Sequence, residues 1–130
     1  MKLESQQVNV NKSPEALCEY LSTVSNYEEL MPDNISKFEV LSDNSFVFAL
    51  KGMPEIGLEV KEVIAPNTVK LGALSDKIPF NLTGLIEADG ENSSKAQLIF
   101  DGDFNPMMAM MIKGPISKFL ETLTTNMAAL

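Results

Sequence analysis

Asn105-Pro106-Met107-Met108-Ala109-Met110-Met111-Ile112-Lys113-Gly114-Pro115-Ile116-Ser117-Lys118-Phe119-Leu120-Glu121-Thr122-Leu123-Thr124-Thr125-Asn126-Met127-Ala128-Ala129-Leu130 is the stretch on which the fold turns. Asn105 is an N-cap candidate, and Pro106 suits the first helical position, where its missing N–H costs nothing. Asp101 and Asp103 stand just upstream, where the positive end of a helix favours carboxylates. Met108, Met111, Ile112, Pro115, Phe119, Leu123 and Met127 then recur at the spacing of one helical face. A helix over this whole stretch is about 37 Å long at about 1.5 Å per residue. Gly114-Pro115 predicts a kink, because Pro115 removes one backbone hydrogen bond and crowds the preceding turn. Such a rod overruns a flat patch of small sheet, whereas a strongly twisted sheet can wrap it. A wrapped interior need not be filled by side chains, so a cavity between sheet and helix is expected.

The upstream pattern supplies that sheet. Leu3 to Val10 reads as a first strand, with Val8 and Val10 alternating with polar neighbours. Ser13-Pro14-Glu15-Ala16 opens a helix, Ser13 as cap and Pro14 at the first position, with Leu17, Tyr20, Leu21 and Val24 at helical spacing. A second short helix runs from Tyr27 to Met31 and stops at Pro32. Strands follow over Ile35 to Leu41, Ser45 to Lys51, Ile56 to Ile64, Thr68 to Leu74, Phe80 to Ala88 and Lys95 to Phe104. Ser42-Asp43-Asn44, Gly52-Met53-Pro54, Ala65-Pro66-Asn67 and Asp89-Gly90-Glu91-Asn92 mark turns between them. The fold class is therefore α+β: a curved antiparallel sheet of about six or seven strands around a long C-terminal helix, with two short helices after the first strand. A chain of 130 residues with no linker reads as a single domain over 1–130.

Composition excludes several function classes. The formal net charge is −8, all the basic residues are lysines, and His, Arg and Trp are absent. Such a field repels phosphates, and the arginines that read base edges are missing, so no nucleic-acid partner is expected. The commonest general base and metal ligand is missing with histidine. One cysteine, Cys18, makes neither an internal disulfide nor a cysteine metal cluster, and suits a reducing cytoplasm. No metal site and no cofactor are expected. The opening residues lack an apolar core, so no signal peptide is expected, and no apolar run is long enough for integral membrane association.

Three segments carry a family resemblance. Ser13-Pro14-Glu15-Ala16-Leu17-Cys18-Glu19-Tyr20-Leu21-Ser22 looks like the first helix after the opening strand of the START-like superfamily, also called SRPBCC, Bet v 1-like or polyketide cyclase/dehydrase-like. Asn26-Tyr27-Glu28-Glu29-Leu30-Met31-Pro32 looks like its second short helix, and Asn105 through Leu130 like its closing helix. The order of elements matches over essentially the whole chain, and the chain resembles the small uncharacterised bacterial type best. The resemblance implies a helix-grip fold with a central hydrophobic cavity. Superfamily members include lipid and sterol carriers, quinone-binding proteins, aromatic cyclases and chaperone cofactors. The missing His, Arg and Trp prevent any catalytic residue from being carried over.

Candidate ligand contacts are the apolar sheet face, with Phe46, Phe48, Leu58, Val60, Leu71, Phe80, Leu82 and Phe100 set against Phe119. That face either lines a cavity or fills a core. Met108 and Met111, with Met107 and Met110, either form an adaptable pocket mouth or pack in and around the core. Tyr20 and Tyr27 each offer a phenol to a ligand, and helical spacing alternatively makes Tyr20 a core residue with its hydroxyl at the rim. Glu62 lies on the Leu58 and Val60 face by strict alternation; a bulge near Lys61 would turn it outward. Asp101 and Asp103 alternate away from Phe100, toward solvent, and Cys18 reads as a small buried hydrophobe. No residue is singled out as catalytic. The expected function is carriage or sensing of a small hydrophobic or amphipathic molecule. The alternatives are a cyclase- or hydratase-like lyase and a protein-interaction module.

Overall fold

Asn105 takes extended backbone and its side-chain oxygen accepts the Met108 N–H at 2.8 Å. With Pro106 at the first position, that cap starts α3 (Pro106–Ala128), and Pro115 lies inside the helix without ending it. In the same way the Ser13 hydroxyl accepts the Ala16 N–H at 3.2 Å and opens α1 (Pro14–Ser22). The computed structural model describes residues 2–52, 55–74 and 80–130. Its other elements are β1 (Lys2–Glu4), β2 (Val8–Val10), a 3₁₀ turn (Val24–Asn26), α2 (Tyr27–Leu30), β3 (Ile35–Ser42), β4 (Ser45–Leu50), β5 (Ile56–Ile64), β6 (Thr68–Ala73), β7 (Phe80–Ala88) and β8 (Ser94–Gly102). The turn expected at Gly52-Met53-Pro54 falls partly outside the described residues.

All strands belong to one antiparallel sheet in the order β1-β8-β7-β6-β5-β4-β3, with β2 also on β8. The successive strands pair as hairpins, and the first strand segments return against the last. The strand expected over Leu3 to Val10 is broken. Glu4 faces Ile99 and Val8 faces Ala96, so three residues oppose two. The extra residue is absorbed at Ser5, whose hydroxyl accepts the Leu98 N–H at 2.9 Å while its own N–H donates to Leu98 O at 2.8 Å. A side chain thus replaces a rung of the ladder, and the sheet counts eight strands among the described residues.

A second irregularity settles Glu62. Val60 pairs with Leu71 and Glu62 with Lys70, leaving Lys61 as an extra residue in β5. The bulge shifts the alternation by one. Glu62 is accordingly exposed, 3.9 Å from the Lys70 ammonium.

The core lies between the concave sheet face and the helices. Phe46, Phe48, Leu58, Val69, Leu71, Leu82, Leu98 and Phe100 face Leu17 and Leu21 of α1 and Ile116, Phe119, Leu120, Leu123 and Met127 of α3. Each such side chain contributes roughly 1.5–3 kcal/mol by leaving water. The stripe expected on α3 is corrected at its start. Met111 is 71% exposed and Pro115 is exposed, whereas Ile116, Leu120 and Thr124 are buried. The buried residues of α3 begin only at Ile116. Helical periodicity specifies a face but not how far along the rod the sheet reaches. Thr124 is accommodated because its hydroxyl donates to the Leu120 and Glu121 carbonyls at 3.0 Å. No helix among the described residues is long and apolar enough to cross a membrane.

Candidate functional site

The middle of α3, the end of β4 and the loop between α2 and β3 leave a groove of about 780 Å³ between them. Gly114, Pro115, Lys118, Phe119 and Thr122 form its helical wall, a row at one-turn spacing along one side of α3. Leu50, Lys51 and Gly52 form the sheet wall, and Pro32, Asp33 and Asn34 form the far rim. Gly52 has φ +80°, the left-handed region that glycine alone enters freely, so the chain leaves β4 sharply beside the groove. The rim is tied to the helix, since Asn126 Nδ2 donates to Leu30 O at 2.8 Å. The Lys51 N–H also donates to Asn34 O at 2.9 Å, joining the two loop walls.

The lining joins buried apolar residues, Leu50 and Phe119, to exposed charged ones, Lys51 and Lys118. Phe119 is buried and its ring stacks on Phe48 at 4.9 Å, nearly parallel. The stack continues through Phe46, 6.1 Å from Phe48, to Tyr27, 5.2 Å from Phe46. A separate trio, Phe80, Phe100 and Phe104, stands where β7 begins and β8 ends, with centroids 5.1 and 5.9 Å apart. At the rim, Lys51 and Lys118 are exposed and, like Lys12, Lys95 and Lys113, meet no carboxylate among the described residues, whereas Lys2, Lys37, Lys61 and Lys70 each approach a glutamate. Asp33 is the acidic side chain on this rim.

Of the residues expected to contact a ligand, Phe119 is the one that lines this groove. Phe46, Phe48, Leu58, Leu71, Leu82 and Phe100 are brought together in the core. Val60, Phe80 and Met108 are half-buried, and Met111 points into solvent with Met107 and Met110, at 75% and 83% exposure. The two phenols are committed elsewhere. Tyr27 is buried and donates to Leu21 O at 2.8 Å. Its burial, with smaller effects of Tyr20 and Cys18, pushes its pKa well above the ordinary tyrosine value. The Tyr20 hydroxyl lies 3.2 Å from both Asn26 O and Glu29 Oε2. Burial, then the charge of Glu29 and the bond to it, push Tyr20 up to about 12. Both phenols therefore brace α1 against α2. Cys18 is buried, and Asp101 and Asp103 are exposed.

Sequence reasoning missed Leu50, Lys51, Pro115 as a groove residue, Lys118 and Thr122. On α3 a signal existed: Lys118 and Thr122 extend the Gly114 row beside the buried one. No local signal brings Pro32, Asp33 and Asn34 across from the other wall.

No family model matches the sequence, nor does any curated protein sequence. Solved structures match in three dimensions. A START superfamily protein from Mycobacterium smegmatis superposes with TM-score 0.75 at 16% identity, covering 98% of this chain and 94% of that one. Norcoclaurine synthase from Thalictrum flavum, in complex with dopamine and hydroxybenzaldehyde, gives 0.69 at 12% identity, covering 96% and 84%. An uncharacterised protein from Bacillus thuringiensis gives 0.65 at 10% identity, covering 98% of each chain. At such identities the likeness is one of fold.

Proposed function

On the premise of a START-like helix-grip fold, we propose that this chain binds a small hydrophobic or amphipathic molecule between its sheet and α3, for carriage or sensing. The observation that carries this reading is the groove of about 780 Å³ whose apolar lining includes Leu50, Pro115 and Phe119. That volume falls within the range of about 300–1,000 Å³ usual for small-molecule sites. A ligand seated there buries apolar surface against Phe119, with Phe48 stacked behind it. Each Å² removed from water contributes about 25 cal/mol before ordering costs. Leu58, Leu82 and Phe100 with half-buried Val60, Phe80 and Met108 are the proposed deeper contacts. The norcoclaurine synthase neighbour, which holds dopamine and hydroxybenzaldehyde, is a precedent for small aromatic ligands on this fold. The buried polar side chains other than Tyr27 are Ser5, Ser45, Ser94 and Thr124 among the described residues. A lyase reading has no buried carboxylate or lysine there to serve as acid or base.

The test is saturable uptake of an apolar fluorescent probe, together with mass spectrometry of organic extracts from gently purified protein. A Cβ at Gly114 meets nothing within 4 Å, so Gly114→Leu fits the helix and adds a side chain to the groove wall. Wild type is expected to take up the probe to saturation, and Gly114→Leu to bind about tenfold more weakly, a difference of about 1.4 kcal/mol. Wild-type protein that carries nothing and shows no saturable uptake ends this reading.

A further inference from the structure

We propose that the exposed methionines at the start of α3 form a site for a soft monovalent metal ion of the copper(I) class, held by the thioethers of Met107, Met110 and Met111. Four of the chain's eight methionines stand within residues 107–111. None of the four lines the groove, so this site is independent of the ligand reading above. Met107, Met110 and Met111 are exposed and contribute little to the core. They stand at i, i+3 and i+4 of one helix, so Met107 neighbours both of the others across one turn, with Cβ atoms about 5–6 Å apart. Three rotatable bonds in each side chain let the three sulfurs meet at a common point in front of the helix. Half-buried Met108, one turn before Met111, is a fourth thioether at the edge of this face.

The donor chemistry selects the ion. A thioether is neutral, soft and polarisable, and such ligands favour copper(I) over hard divalent ions. The local charges also oppose a hard cation. The positive end of α3 lies at Met107, and Lys113 stands one turn beyond Met110. Asp101 and Asp103 are exposed just upstream, in a chain of net charge −8. Among the described residues no three His, Cys, Asp or Glu groups come together to hold a metal. The other described sulfurs, of Cys18, Met31 and Met127, are buried. Leucine would serve an apolar contact at these positions as well as methionine does; the sulfur is what sets the run apart.

The experiment titrates silver(I) nitrate, a redox-inert probe of the same class, into the full chain by calorimetry in chloride-free buffer at pH 7.5 and pH 5. One ion per chain is expected to bind, with Kd changing by less than about twofold between the two, because a thioether has no proton to lose. Met107→Leu/Met110→Leu/Met111→Leu keeps the helix and its apolar surface but removes the sulfurs, and is expected to bind about a hundredfold more weakly. Cys18→Ala is expected to bind as the wild type does. A second measurement needs no variant: carbon–proton spectra of the wild type are expected to show the methyls of Met107, Met110 and Met111 shifting together with silver while that of Met127 stays. A wild type that takes up no silver overturns the site. So does binding that survives the triple variant, disappears in Cys18→Ala, weakens about tenfold or more at pH 5, or shifts other methionine methyls instead.

Discussion

The two tyrosines show how a single hydroxyl can report on the packing of the helices. Tyr20 is pushed up to about 12 and Tyr27 is also raised, both chiefly by burial. In the unfolded chain each titrates near its ordinary value of about 10. The folded chain therefore keeps protons that the unfolded chain has lost. By linkage this stabilisation is complete below about pH 10 and is lost as pH rises through the Tyr20 value. Because the chain has two tyrosines and no tryptophan, absorbance at the tyrosinate band reads these groups directly. Native protein is expected to show little tyrosinate at pH 10.5, and urea unfolding at that pH to release it at once. Half-ionised tyrosine in the native state at pH 10 would show that the α1–α2 brace is not as described. These residues also mark a limit of sequence reading. Helical spacing identified Tyr20 as a core position with a polar tip, but the acceptors of Tyr20 and Tyr27, Asn26 O and Leu21 O, arise from how the chain folds back between them.

Within α3 the two ends have different tasks. Its last three turns pack Leu120, Leu123 and Met127, each at 1% exposure, against sheet and α2. Its first turns carry Met107, Met110 and Met111 in solvent. Leu120→Ala is expected to cost about 2–5 kcal/mol through lost burial and a cavity. Met110→Lys is expected to stay within about 0.5 kcal/mol of wild type, as for an exposed position without partners. Chemical denaturation of both variants checks the contrast. A comparable loss at Met110 would place the helix start inside the core. The sequence located the helix, its Asn105 cap and its Pro106 start, because those signals act within one turn. It misplaced Met111, since where a rod leaves its sheet depends on strands distant in sequence.

For the whole molecule, a ligand that binds only the folded state adds to its stability by mass action. At a free concentration about a hundredfold above Kd, the gain is about 2.7 kcal/mol. An apolar ligand bound in the groove is therefore expected to raise Tm by several degrees in wild type, and by about half as much in Gly114→Leu at equal concentration, as tenfold weaker binding requires. An equal rise in both would place the binding elsewhere.

The order of strands and helices, the capped ends, the outward turn of Glu62 as one of two readings, and the closing helix were all legible from residues two to four positions apart. Periodicity and capping act over that distance, so the chain carries them locally. The groove was decided only when α3 settled against the end of β4 and the loop after α2. That placement set Lys51 and Lys118 beside one groove, enclosed Phe119 and occupied both phenols. Those pairings join segments far apart along the chain, and only the packing of the core as a whole sets the distance between them.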